Sequence, residues 1–176
     1  LWVAHLMNDV GFPSEIDFSC VAWIGAINIS GMLLTTIGLG ILRRRVNISL
    51  GRSIASAMLL LAILLITCLV GFAFAGSFWL SLPLLWLIRM LRDSSSLLYT
   101  TWVNQRLEAK VRATVLSMSS QVDAIGQIAG GPLLGALGSA LSIKAALLAS
   151  SLSLSPVLGL IGKGLKQEKE ESESAA

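Results

Sequence analysis

Ser53–Phe74 reads SIASAMLLLAILLITCLVGFAF, and no residue in it is charged. At 1.5 Å per residue such a stretch rises about 33 Å as an α-helix, close to the thickness of a bilayer's hydrocarbon. A segment in lipid must satisfy its own backbone hydrogen bonds, so the run reads as a transmembrane helix. Working outward, similar runs occupy Val21–Leu42, Phe78–Val103, Val115–Leu137 and Ile143–Ile161, and the first of these also carries no charge. Leu1–Phe12 is apolar with His5, Asn8 and Asp9 interspersed, and Pro13-Ser14 ends it. Its charge is too low for a helix lying on a membrane surface, so it reads as the end of a further span. The expected fold is all-α, a multi-pass transmembrane helix bundle over residues 1–162. A disordered tail is expected at 163–176, where Lys, Glu and Ser bury too little apolar surface to fold.

Composition agrees. The 176 residues are 55% hydrophobic and 13% charged, with a mean hydropathy of +0.79, whereas soluble domains carry roughly 25% charged residues. The net charge of +3 would suit a nucleic-acid partner only with a basic patch interleaved with aromatics. That patch is absent, and the expected partner is the lipid bilayer. Cys20 and Cys68 lie at or within apolar stretches, where a thiol behaves as a small hydrophobe. Neither a disulfide framework nor a metal site follows from them, and no cofactor is expected. Enzymatic chemistry needs a nucleophile with its base, or a cluster of metal ligands. The one histidine, His5, can be assembled into neither, so the chain is not read as an enzyme. The chain opens on Leu1 without the charged, apolar and small-residue series of a cleavable leader, and is expected to be a fragment.

The breaks between runs carry the orientation. Arg43, Arg44, Arg45 and Arg52 lie in one break, Arg106, Lys110 and Arg112 in another, and Lys163, Lys166 and Lys169 follow the last run. The alternate breaks are Pro13–Ser19, with Glu15 and Asp17, then Ala75-Gly76-Ser77, and Gly138–Ser142 with Lys144 beyond it. Ten of the 13 basic residues thus fall on one side and one on the other. Basic residues accumulate on the cytoplasmic side, which places the C-terminus inside and the Pro13–Ser19 loop outside.

Two basic residues remain within a run. Arg89, Arg92 and Asp93 lie near the middle of Phe78–Val103, and Asp123 near the middle of Val115–Leu137. A central Arg or Asp costs about 2.5–3.5 kcal/mol on insertion scales, so all four must face protein or water. Their charges sum to zero, as a mutually compensated cluster requires. Arg89 and Asp93 are spaced i,i+4, able to meet on one face, with Arg92, Ser96 and Thr100 continuing a polar stripe. Ser119 or Ser120, Asp123, Gln127 and Gly130 recur at three- and four-residue intervals in the next run. These stripes are read either as static interhelical contacts or as a substrate or proton path. Asn28, with Ser30, Thr35 and Thr36, is read chiefly as hydrogen bonding within or between helices. Trp23, Trp79 and Trp102 fall near run ends, as interfacial aromatics do, whereas Trp86 lies deeper.

Gly126, Gly130, Gly131, Pro132 and Gly135 form a pattern that admits a close helix neighbour, with Pro132 removing a helical hydrogen bond. Together with these residues, Trp102–Gly138, WVNQRLEAKVRATVLSMSSQVDAIGQIAGGPLLGALG, resembles the C-terminal half of a bacterial major facilitator superfamily (MFS) transporter. It looks like the basic cytoplasmic loop before helix eleven followed by helix eleven itself. The glycine-proline pattern is similar to that on helix five of drug:proton antiporters, which the repeat of the two halves relates to helix eleven. Gly38-x-Gly40-x-x-Arg43-Arg44-Arg45 resembles the repeat-related copy of the loop motif between helices two and three, but the aspartate expected inside that motif is absent.

The resemblance implies the last part of helix seven plus helices eight to twelve of a six-helix half, with a missing N-terminal half as partner. It also implies a secondary active transporter of the cell membrane that moves a small-molecule substrate by alternating access, as proton-coupled efflux. Asp93 or Asp123 would carry the proton. Arg89 and Arg92 would hold that carboxylate or bind an anionic group of the substrate, with Asn28 and Gln127 on the same pathway. The cytoplasmic-loop residues would be Arg43, Arg44, Arg45, Arg52 and Arg112. The alternative is a truncated, non-transporting remnant of such a transporter.

Overall fold

The computed structural model describes residues 1–13, 19–45 and 51–174, with the side chains of 42–45, 51–53, 106, 109 and 165–174 excepted. All regular structure among the described residues is helical. The order is α1 (Trp2–His5), a π-helical turn (Leu6–Val10), α2 (Cys20–Arg45), α3 (Gly51–Phe74), α4 (Phe78–Arg106), α5 (Ala109–Ala140), α6 (Ile143–Ser153) and α7 (Ser155–Ser174). Three stretches are long and apolar enough to cross a membrane, Cys20–Ile41, Ile54–Phe74 and Ile143–Gly164. The runs expected at Phe78–Val103 and Val115–Leu137 lie in continuous helices of 29 and 32 residues. Their interior charges and polar residues leave them outside that set.

Local chemistry sets the helix ends. The π turn closes with Gly11 N–H donating to Leu6 O at 2.8 Å, and Gly11 then takes φ +76°, a left-handed value open to glycine without steric cost. Ala75-Gly76-Ser77 reverses the chain between α3 and α4, and Ser77 enters α4 in an extended conformation. Ser142 caps α6, its Oγ accepting from Ala145 N–H at 3.1 Å, which satisfies one of the first-turn donors a helix leaves free.

The run Ile143–Ile161 lies within the stretch Ile143–Gly164, with a one-residue turn at Leu154 between α6 and α7. Pro156 lacks an N–H and its ring collides with the carbonyl four residues back. Accordingly Leu154 N–H and Val157 N–H bond three residues back, to Ser151 O and Leu154 O. The tail expected to be disordered at 163–176 instead continues α7 as far as Ser174. Low apolar content argues against a packed core there, but Lys, Gln and Glu are strong helix formers and a solvated helix needs no core. The Pro13–Ser19 loop, with Glu15 and Asp17, lies largely outside the described residues.

Helix α3 packs against α4, α6 and α7, and α4 packs against α2, while α5 rests on α6 and touches α4 more lightly. The most deeply buried cluster gathers Leu6, Ile27, Phe72, Ala73, Phe78, Leu85 and Leu147. These residues come from the π turn, the first third of α2, the last turn of α3, the start of α4 and α6. The core therefore sits at the end of the bundle where the Ala75–Ser77 and Leu141-Ser142 connections lie. Phe12, Trp23 and Phe78 extend it as an aromatic group, with Trp23 edge-on to Phe78 at 5.2 Å and stacked with Phe12 at 6.4 Å. Elsewhere apolar side chains face outward, among them Val21, Met32, Ile37, Leu60, Ile128 and Leu160. Exposed apolar area on this scale is covered in nature by lipid or by another protein.

Candidate functional site

Arg89 projects from the middle of α4, eleven residues after Phe78. That corresponds to about 16 Å along the helix axis, roughly half the hydrocarbon thickness. Its Nη1 donates to Asn28 Oδ1 on α2 at 2.9 Å. Asn28 stands eight residues into α2, at a similar depth of about 12 Å. The amide is held from its other end, since Nδ2 donates to Ile24 O at 2.8 Å. Trp2 completes the arrangement from α1, its ring 4.9 Å from the guanidinium carbon, a separation at which the ring quadrupole attracts a cation.

The close approach of α2 and α4 here depends on two glycines. A Cβ added at Gly31 would stand 3.2 Å from Trp86 Cδ1 and 3.4 Å from Arg89 Nη1. One at Gly38, two turns further on, would overlap Met90. Trp86 is itself tied across the interface, Nε1 donating to Ile27 O at 3.3 Å. The deep tryptophan noted in the sequence is therefore part of the α2–α4 seam.

The compensated charge cluster expected from the sequence does not form. Among the described residues the one ion pair is His5–Asp9, at 2.9 Å. Arg89 and Asp93 share the i,i+4 spacing that permits contact, yet Arg89 turns to Asn28 and Asp93 is exposed without an ion pair. Arg92 is likewise exposed. Helix geometry allows an i,i+4 bond without requiring it, and the Asn28 amide and Trp2 ring compete for the same guanidinium.

Asp123 and Gln127 meet each other and, among the described residues, bond to no other helix, Gln127 Nε2 donating to Asp123 Oδ2 at 2.8 Å on an exposed face of α5. The link between α4 and α5 is Tyr99 Oη to Ser119 Oγ, at 2.7 Å. Thr100 bonds back to Ser96 O and Ser120 to Leu116 O, as hydroxyls in helices do when no partner offers itself. The two polar stripes thus do not share an interior.

The glycine-proline pattern of α5 meets no neighbour among the described residues. Nothing lies within 4 Å of a Cβ built at Gly126, Gly130, Gly131 or Gly135, and Pro132 is exposed among them. The glycines in tight contact are Gly31 and Gly38, seven residues apart and so on one helix face. That spacing was visible in the sequence, though it is inconspicuous within an apolar run. Of the loop arginines, Arg112 donates from Nη2 to Leu107 O at 3.1 Å, tying the start of α5 to the α4–α5 connection. The side chains of Arg43, Arg44, Arg45 and Arg52 lie outside the described residues. Among the described residues no group of His, Cys, Asp and Glu is placed to hold a metal ion. No family model, curated protein or solved structure matches the chain.

Proposed function

We propose that this chain is one half of a secondary transporter of the cell membrane, with its C-terminus in the cytoplasm. It moves a small molecule by alternating access, as proton-coupled efflux of the kind the major facilitator resemblance implies. The observation that carries the reading is the Asp123–Gln127 pair, exposed on α5. It lies among exposed Val122, Ile125, Ile128 and Leu133, on a helix that α4 and α6 cover only in part. A carboxylate at mid-helix is costly against lipid, so a second helical body and a wet cavity between the two are the natural covering for this face. Substrates of such transporters bind near the midplane at the interface of the two repeats. Asp123 is the carboxylate available to take up a proton on this face and Asp93 a second one exposed on α4, and neither is neutralised by an ion pair among the described residues.

The test uses cells carrying the protein expressed from its own gene, loaded with a cationic or an anionic fluorescent dye under an imposed pH gradient. Export that follows the gradient, and that falls in Asp123→Asn or Asp93→Asn, supports the reading. Gradient-independent dye levels with the wild-type protein, or undiminished proton-driven export by both variants, would sink it.

A further inference from the structure

Arg89 is a cation at the mid-depth of a helix, and among the described residues no carboxylate lies within ion-pair distance of it. One of its five N–H groups is spent on Asn28, and the guanidinium carbon lies over the Trp2 ring, 4.9 Å from its centroid. Among its other N–H groups a guanidinium can offer two parallel donors whose spacing matches a carboxylate. Arg89 is half-buried while Asn28 is exposed, so the guanidinium is reachable from outside the chain and is not enclosed by a protein anion. Asn28 is fixed by Ile24 O, and Gly31 leaves the space beside Nη1 that a side chain would fill. The parts hold the guanidinium in one orientation without neutralising it.

We propose that Arg89, oriented by Asn28 and Trp2, receives the carboxylate of a small organic monoanion. This assigns a substrate class to the transport reading above and rests on it for its purpose. A single guanidinium with no second cation bonded into the arrangement balances one negative charge, so a monocarboxylate fits better than a phosphate dianion. Depth selects the source. With Phe78 at the membrane edge, as the transport reading has it, Arg89 lies about 16 Å along α4, beyond the reach of a lipid headgroup. Trp2 and Trp86 supply apolar surface for the body of the anion, and Trp86 spends its one donor on Ile27 O.

The experiment titrates the purified protein, in nanodiscs of phosphatidylcholine, with benzoate and hexanoate and with their neutral counterparts benzamide and hexanamide, following tryptophan fluorescence. At least one carboxylate is expected to bind saturably and at least about tenfold more tightly than its amide, as a charge-assisted hydrogen-bonded pair implies. Arg89→Gln should remove that preference, and Arg89→Lys, which keeps the charge but not the fork, should weaken it. Equal binding of carboxylate and amide by the wild-type protein, or no binding of either, overturns the proposal whatever the fate of the variants. So does an unchanged preference in a helical Arg89→Gln protein, or competition by phosphatidylglycerol in the nanodisc, which would make a lipid the anion. Carboxylate binding without proton-driven export would leave the site standing and remove the transport reading. Proton-driven export without carboxylate binding would do the reverse.

Discussion

His5 lies with its ring centroid 4.8 Å from that of Phe72 and is wholly buried, while its Nδ1 meets Asp9 Oδ2 at 2.9 Å. The direction of this bond depends on the ring's tautomer. Nε2 is buried with no hydrogen-bond partner among the described residues. Losing Asp9 leaves the buried Nδ1 without its partner, at a cost of about 1–3 kcal/mol, whereas Asp9 is exposed and water can take its bond when His5 is replaced by an apolar ring. Asp9→Ala is therefore expected to destabilise the folded protein, and His5→Phe to leave it unchanged or firmer. Unfolding in mixed micelles of rising SDS fraction ranks the two. A His5→Phe protein less stable than Asp9→Ala would mean that the imidazole is satisfied in some other way.

Gly31 and Gly130 offer a contrast. The first lies against Trp86 and Arg89, the second against nothing within 4 Å. Gly31→Val forces α2 and α4 apart or Trp86 off its bond to Ile27 O, an overpacking cost of typically 1–3 kcal/mol. Gly130→Ala meets open space in this chain and gains up to about 1 kcal/mol of helix propensity. The same unfolding measurement should show opposite signs for the two. Under the transport reading Gly130→Ala should still depress export, because its face would meet the second helical body.

The helices were legible in the sequence because a lipid-facing helix announces itself in one dimension, as a long run without charge. Val21–Leu42 and Ser53–Phe74 fall inside α2 and α3, and Phe78 begins α4 as expected. Which residues meet across helices was less legible. Arg89 and Asp93 carry the right spacing to pair, but choosing between Asp93 and Asn28 depends on how α2 sits against α4. That is set by Gly31 and Gly38, small residues that a hydropathy pattern passes over. Trp2 reaches Arg89 from eighty-seven positions away, and no periodicity links them. The open face of α5 shows a related limit. A glycine pattern says that a backbone can come close, not which backbone does.

Tyr99 and Ser119 hold α4 to α5 by a hydroxyl pair at 2.7 Å, at a boundary with few other contacts. Tyr99→Phe keeps the ring and removes the bond, at an expected cost of about 0.5–1.5 kcal/mol. Ser119→Ala should cost a similar amount, and the double variant little more than either alone, because the two changes delete one interaction. Additive losses would show that each hydroxyl has a separate partner.

Orientation is testable through two connections at opposite ends of the bundle. Gly76 is exposed in the turn between α3 and α4, and Glu108 is exposed between α4 and α5. The 29 residues of α4 separate the two ends, a length of about 43 Å and enough to cross the hydrocarbon. In a background with Cys20→Ala and Cys68→Ala, Gly76→Cys should react with a membrane-impermeant maleimide added to intact cells. Glu108→Cys should react only after the cells are opened, because Lys110 and Arg112 place its end among the basic residues retained in the cytoplasm. Reversed labelling would invert the topology. Labelling of both positions from outside would mean that α4 does not cross the membrane, and with it would go the mid-depth placement of Arg89 on which the carboxylate site depends.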